Sequence, residues 1–137
     1  MKYFTYIVIA VVLLTACATN RHTANSKTYK VYLYFYSIGA GTADPKPVAD
    51  YISEFKTTNS IASVKADKIG PLGKEGEYAL GFELKEMNIG QRASFISGIT
   101  QKAKSIQDRG ASVNVETNYS IRTDSLPFRA IIETVNY

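Results

Sequence analysis

The run KVYLYFYSI, Lys30 to Ile38, constrains the fold more than any other stretch of the chain. Val31, Leu33 and Phe35 alternate with Tyr32, Tyr34 and Tyr36, and nearly every residue favours extended backbone. A period of two with a bulky residue at each position predicts a strand in the middle of a sheet. Its aliphatic and phenylalanine side faces the core, and its tyrosine side faces away. The opposite assignment, with the tyrosines inward, stays open at this point.

The stretch that follows, SIGAGTADPKP, supplies a glycine corner at Gly39 and Gly41 and then a helix start. Asp44 is placed to cap that helix, with Pro45 in its first position. Val48, Tyr51, Ile52 and Phe55 recur at helical spacing until Thr57 to Asn59 stop the run. A strand, a glycine turn and a helix can also hold a phosphate. Here Pro45 and Pro47 remove amides from the first turn and Asp44 brings its own negative charge, so the corner reads as a turn.

Two further alternating runs, Ile61 to Ile69 and Tyr78 to Met87, flank GPLGKEG and predict a β-hairpin with a longish loop. A second helix starts at Asn88, with Gln91 in the capping-box position, and carries Phe95, Ile96, Ile99, Ala103 and Ile106 as its apolar stripe. Gly110 is its expected end. Gly98 within it predicts close packing of that face, because glycine in a helix costs about 1 kcal/mol relative to alanine. ASVNVETNYSI is the next strand, RTDSLP a turn, and FRAIIETVNY the last strand.

The element order is β-α-β-β-α-β with one strand added at the C-terminus. This resembles the ferredoxin-like arrangement, an α+β fold in which an antiparallel sheet carries both helices on one face. Parity then predicts that the helices cover Val31, Leu33, Phe35, Val64, Leu80, Phe82, Val113 and Val115. At 137 residues the chain is long enough for one domain with a real core.

The first residues, MKYFTYIVIAVVLLTAC, have a different character. One positive charge at Lys2 precedes an uncharged stretch from Tyr3 to Ala16, short of the roughly 20 residues a spanning helix needs. A basic start, a short apolar centre and small residues before a break are the marks of a secretory signal peptide. Leu14-Thr15-Ala16-Cys17 resembles the lipobox of bacterial lipoproteins. The resemblance implies cleavage before Cys17 and lipid on its thiol and on the new amino terminus. Two or three acyl chains would then anchor the protein, each buried methylene adding about 0.8 kcal/mol. Ala18 is not the aspartate that, in the enterobacterial pattern, retains lipoproteins in the inner membrane, so the expected site is the outer membrane, facing the periplasm. Ala18 to Thr28 contain no large apolar side chain and read as a flexible tether. The predicted organisation is therefore signal peptide 1–16, lipidated cysteine and tether 17–28, and α+β domain 29–137.

Several function classes are disfavoured. Sixteen Lys and Arg against twelve Asp and Glu give a mild +4, interspersed rather than clustered, a poor footprint for nucleic acid. EGEYALGFEL lacks the aromatic pattern of RNA-recognition modules. One cysteine and one histidine, Cys17 and His22, cannot form a zinc site, and both lie in the targeting and tether segments. No histidine in the predicted domain can serve as a base for a serine. The carboxylate pairs Glu75/Glu77 and Glu83/Glu86 fall in a loop and at a strand end, where solvated charge is the ordinary case. No enzyme activity, cofactor or metal is expected.

What remains is binding. Tyr32, Tyr34 and Tyr36 on one strand face make an apolar platform with hydroxyl handles, framed by Glu83, Lys85 and Asn114. The expected partner is a protein, as for an envelope accessory subunit or an immunity-type protein, or a second copy of the chain. A covering by the C-terminal segment and a small-ligand sensor or carrier, using this face or the Gly39–Gly41 corner, are the alternatives.

Overall fold

A computed structural model describes residues 25–37, 39, 41–108 and 111–137. The expected signal peptide, Cys17 and the tether as far as residue 24 lie outside the described residues.

The elements are β1 (Ser26–Tyr36), α1 (Lys46–Asn59), β2 (Lys65–Gly70), β3 (Tyr78–Phe82), α2 (Ile89–Lys104), β4 (Gln107–Asp108), β5 (Ala111–Arg122), a single 3-10 turn (Thr123–Ser125) and β6 (Ile131–Asn136). They form one sheet in the order β4-β5-β1-β3-β2-β6, with every neighbouring pair antiparallel. This is the ferredoxin-like α+β fold with an extra C-terminal strand. β1 begins at Ser26, so Ser26 to Thr28 are sheet residues rather than tether.

The expected inward set forms the core. Val31, Leu33, Phe35, Val64, Leu80, Phe82 and Val113 are buried against Val48, Ile52 and Phe55 of α1 and Phe95, Ile99 and Ala103 of α2, and Val115 packs on their margin. Phe95 sits at the junction of the layers. Its ring lies 5.1 Å from Phe55, 5.7 Å from Phe82 and 5.9 Å from Tyr51. Gly98 permits this: a Cβ there would collide with the Tyr51 ring of α1, so the missing side chain is what lets the helices approach.

The helix ends show which local signals operate. At α2 the Asn88 carboxamide accepts from the Gln91 amide (2.9 Å), and Gln91 returns a bond to the Asn88 amide (3.1 Å), the full capping box. At α1 the Asp44 carboxylate accepts the Lys46 amide at 2.9 Å, while Pro45 occupies the cap position. The predicted end of α2 at Gly110 is too late. The helix stops at Lys104, where the Ser105 hydroxyl bonds the Lys102 carbonyl (2.7 Å) and the chain re-enters the sheet as β4. Ile106 still packs into the core, from beyond the helix. β3 is likewise shorter than the alternation predicts, because Leu84 adopts a left-handed backbone (φ 58°) and turns the strand away.

Parity on the central strands changes once. Val31, Leu33 and Phe35 point to the helices, yet Tyr29 packs on the opposite face with Tyr32. The change falls at Lys30, opposite a left-handed Asn118 (φ 51°) on β5, and the Lys30 ammonium bonds the Asn118 side chain at 3.2 Å. β5 changes in step, with Val113 inward and Ile121 in the outer cluster. The register between the two strands is the same on both sides of the kink, from Tyr29 opposite Tyr119 to Val31 opposite Thr117, with Lys30 and Asn118 themselves left out of the pairing.

Candidate binding face

The side of the sheet away from the helices carries the tyrosines, as the alternation predicts. Across the strands its residues form rows. Asn114, Tyr34, Ala79, Ile69 and Ile132 are successive partners, and so are Glu116, Tyr32, Gly81, Asp67 and Thr134.

The row is not one open platform. Tyr32 is only 6 % exposed, its ring 4.5 Å from Tyr119 and 6.0 Å from Tyr29. The chain between β5 and β6 crosses this face from one end of the strands to the other. It leaves beside Asn25, whose carbonyl accepts the Thr123 amide at 3.0 Å, and it arrives at Ile131, opposite Gly70. On the way Leu126 packs on the cluster of Tyr29, Tyr32, Ile69, Ala79 and Ile121. The covering by the C-terminal segment is thus realised over the lower part of the face. Tyr34 and Tyr36 stay half-buried, their rings 5.8 Å apart, with exposed Asn114 opposite Tyr34 and half-buried Ser112 opposite Tyr36.

On the same face, at the edge of the tyrosine cluster, lies a buried polar node. Asp67 is 7 % exposed, and its carboxylate accepts from the Lys27 ammonium (2.7 Å), the Thr134 hydroxyl (2.9 Å) and the Tyr29 hydroxyl (3.0 Å). Burial pushes this carboxyl up, but the three hydrogen bonds and the Lys27 charge outweigh it and hold it below its ordinary value. The Tyr29 phenol is raised, by burial first and by the neighbouring carboxylate second, so at neutral pH it donates. Gly81 makes room for this ring: a Cβ there would lie 2.6 Å from the Tyr29 ring.

Of the residues expected to form one site, Tyr34, Tyr36 and Asn114 share a patch, with Tyr32 beneath its edge. Glu83 and Lys85 pair with each other and belong elsewhere. They line a cleft of about 700 Å³ at the far end of β3, with Lys27, Lys65, Asp67 and Thr134. Cys17 lies outside the described residues. Asp67, Tyr29 and Tyr119 were not expected in the site. The three-residue spacing of Tyr29 and Tyr32 hides their common face, since strict alternation sets them on opposite sides. At the glycine corner Gly39 and Gly41 have positive φ (84° and 88°), and the Asp44 carboxylate already takes an amide of the helix start. No helix among the described residues is long and apolar enough to cross a membrane. No protein-family model matches the chain, and no curated protein or solved structure matches it.

Proposed function

We propose that this protein is a lipid-anchored component of the bacterial envelope that works as a protein-binding module, either an accessory subunit of an envelope assembly or an immunity-type protein. The observation that carries the reading is the upper part of the outer face. Two neighbouring half-exposed tyrosines sit in a polar rim of Ser112, Asn114 and Glu116, on the most firmly paired strand of the sheet. Tyrosine presents a large apolar body with a hydroxyl at low entropic cost, and this composition is typical of interface centres. The anchor is inferred from the lipobox at Cys17, and it would concentrate the module at a membrane surface beside its partner.

Small-ligand carriage has less support. In the cleft the charged groups are largely matched within the protein, Asp67 by Lys27 and Glu83 by Lys85.

Cross-linking in intact cells, followed by purification of the full chain in detergent, tests the reading. Tyr34→Ala with Tyr36→Ala is expected to abolish capture of the partner while leaving the fold intact. Tyr32 is left alone because it is buried. Equal capture by the double variant would remove the face from consideration. Cys17→Ala is expected to move the protein from the membrane to the soluble fraction, and continued membrane retention would refute the lipid anchor independently.

A further inference from the structure

The two edges of the sheet differ in how they end. On one side β5 carries only the two residues of β4, at Ala111 and Ser112. The rest of that edge is kinked at Asn118 and bears Glu116 and Arg122, the features that discourage a further strand from pairing. The other edge is β6, IIETVN, with no proline, no lysine, no bulge and a single charged residue, Glu133, and its register with β2 is unbroken from Ile131 opposite Gly70 to Asn136 opposite Lys65.

Its hydrogen-bonding direction follows from one pair. The Val64 amide donates to the Tyr137 carbonyl (3.2 Å), and the Tyr137 amide donates to the Val64 carbonyl (3.0 Å). In an antiparallel ladder such doubly bonded pairs recur at every second residue. Val135, Glu133 and Ile131 therefore also turn their amides and carbonyls towards β2. Asn136, Thr134 and Ile132 turn theirs outward, and none of these six groups has a partner among the described residues.

We infer that β6 pairs with β6 of a second copy of this chain, joining the two sheets into one antiparallel sheet about a two-fold axis at Thr134. The outward groups fix the register of such a pairing. Two-fold pairing sets residues of like face opposite each other, which limits the centre to a residue of the strand itself. Centring on Thr134 puts Ile132 opposite Asn136 of the second copy, and all three outward residues then form doubly bonded pairs. It also sets Glu133 opposite Val135, and the exposed Ile131 (65 %) opposite Tyr137. A shift to Glu133 as centre would lose one of the three pairs and bring two glutamates face to face at the close, non-bonded spacing. The chain thus matches itself in the one register that uses its whole edge. The tyrosine patch remains free, so the pairing does not depend on the function proposed above.

Sedimentation of the full chain in detergent tests the proposal. The wild type is expected to sediment as a dimer. Asn136→Pro removes only an outward amide, so it is expected to halve the sedimenting mass with an unchanged circular dichroism spectrum. Thr134→Cys is expected to form an intermolecular disulfide on oxidation, since Cα atoms of a doubly bonded pair lie about 5.5 Å apart. The wild-type chain, carrying only Cys17, should form none. A monomeric wild type overturns the proposal, including the case in which a different protein is captured at this edge. So does a dimer that survives Asn136→Pro without cross-linking through Thr134→Cys. Dissociation by Tyr34→Ala with Tyr36→Ala would assign the contact to the tyrosine face instead, and would also overturn it.

Discussion

The two faces of this sheet are stabilised by different physics. Towards the helices the contacts are apolar and close-packed, with Phe55, Phe82 and Phe95 meeting between layers. Such a face depends on volume and shape and is indifferent to pH. On the other side the described residues form no second layer; Leu72 and Leu126, from two loops, pack on a cluster of tyrosines. There a single carboxylate, Asp67, gathers donors from β1 and β6. The comparison teaches that a sheet with helices on one side can secure its other side by a polar node and a thin apolar covering, with Tyr34 and Tyr36 still half-exposed beside them.

Replacing Phe95 tests the helix-covered face and should have the largest effect. Phe95→Ala is expected to cost about 3–5 kcal/mol, read by denaturant unfolding. A loss below about 1 kcal/mol would show that the layers close over the gap and are not the rigid half of the pair.

Asp67→Ala should come next, at about 3 kcal/mol, because the Tyr29 and Thr134 hydroxyls lose their buried acceptor. Its effect should also depend on pH, in a direction fixed by the lowered carboxyl. The folded value lies below the unfolded one. The carboxylate's contribution is therefore complete above the ordinary aspartate value of 3.8 and is lost as pH falls through the folded value. Thermal melts of wild type and variant should converge on acidification. A constant gap between them down to acid pH would break the contrast between a polar and an apolar face.

Gly81→Ala probes the same node from the backbone side. The added methyl would press on the Tyr29 ring, and the expected cost is roughly 1–3 kcal/mol by chemical denaturation. A neutral result would mean that the ring and its bond to Asp67 shift freely.

Much of this was legible in the chain. Periodicity located both helices, the central strand and its inward residues, because burial against helices enforces strict alternation. The capping box at Asn88 and the close approach at Gly98 were legible for the same reason: each is a local requirement with few residue solutions. The node was not. Asp67 and Thr134 are far in sequence from each other and from Lys27 and Tyr29, and the kink at Lys30 opposite Asn118 moves Tyr29 to the side that alternation denies it. The early end of α2 was also hidden, since Ile106 keeps the apolar spacing after the helix has stopped. The tyrosine patch was half legible. Alternation placed its face, but the path of Thr123 to Ala130 across that face depends on where β6 pairs, which no local pattern states.

The position of β1 has a mechanical consequence. It is the first strand of the described chain and lies inside the sheet, bonded to β3 on one side and to β5 on the other. A pull on the chain ahead of Asn25, directed along the strand, loads both ladders in shear, so many backbone bonds must yield together. Had the chain begun at an edge strand, a pull across that edge would peel the bonds one at a time. The domain is therefore joined to whatever precedes it through the strand best placed to bear load.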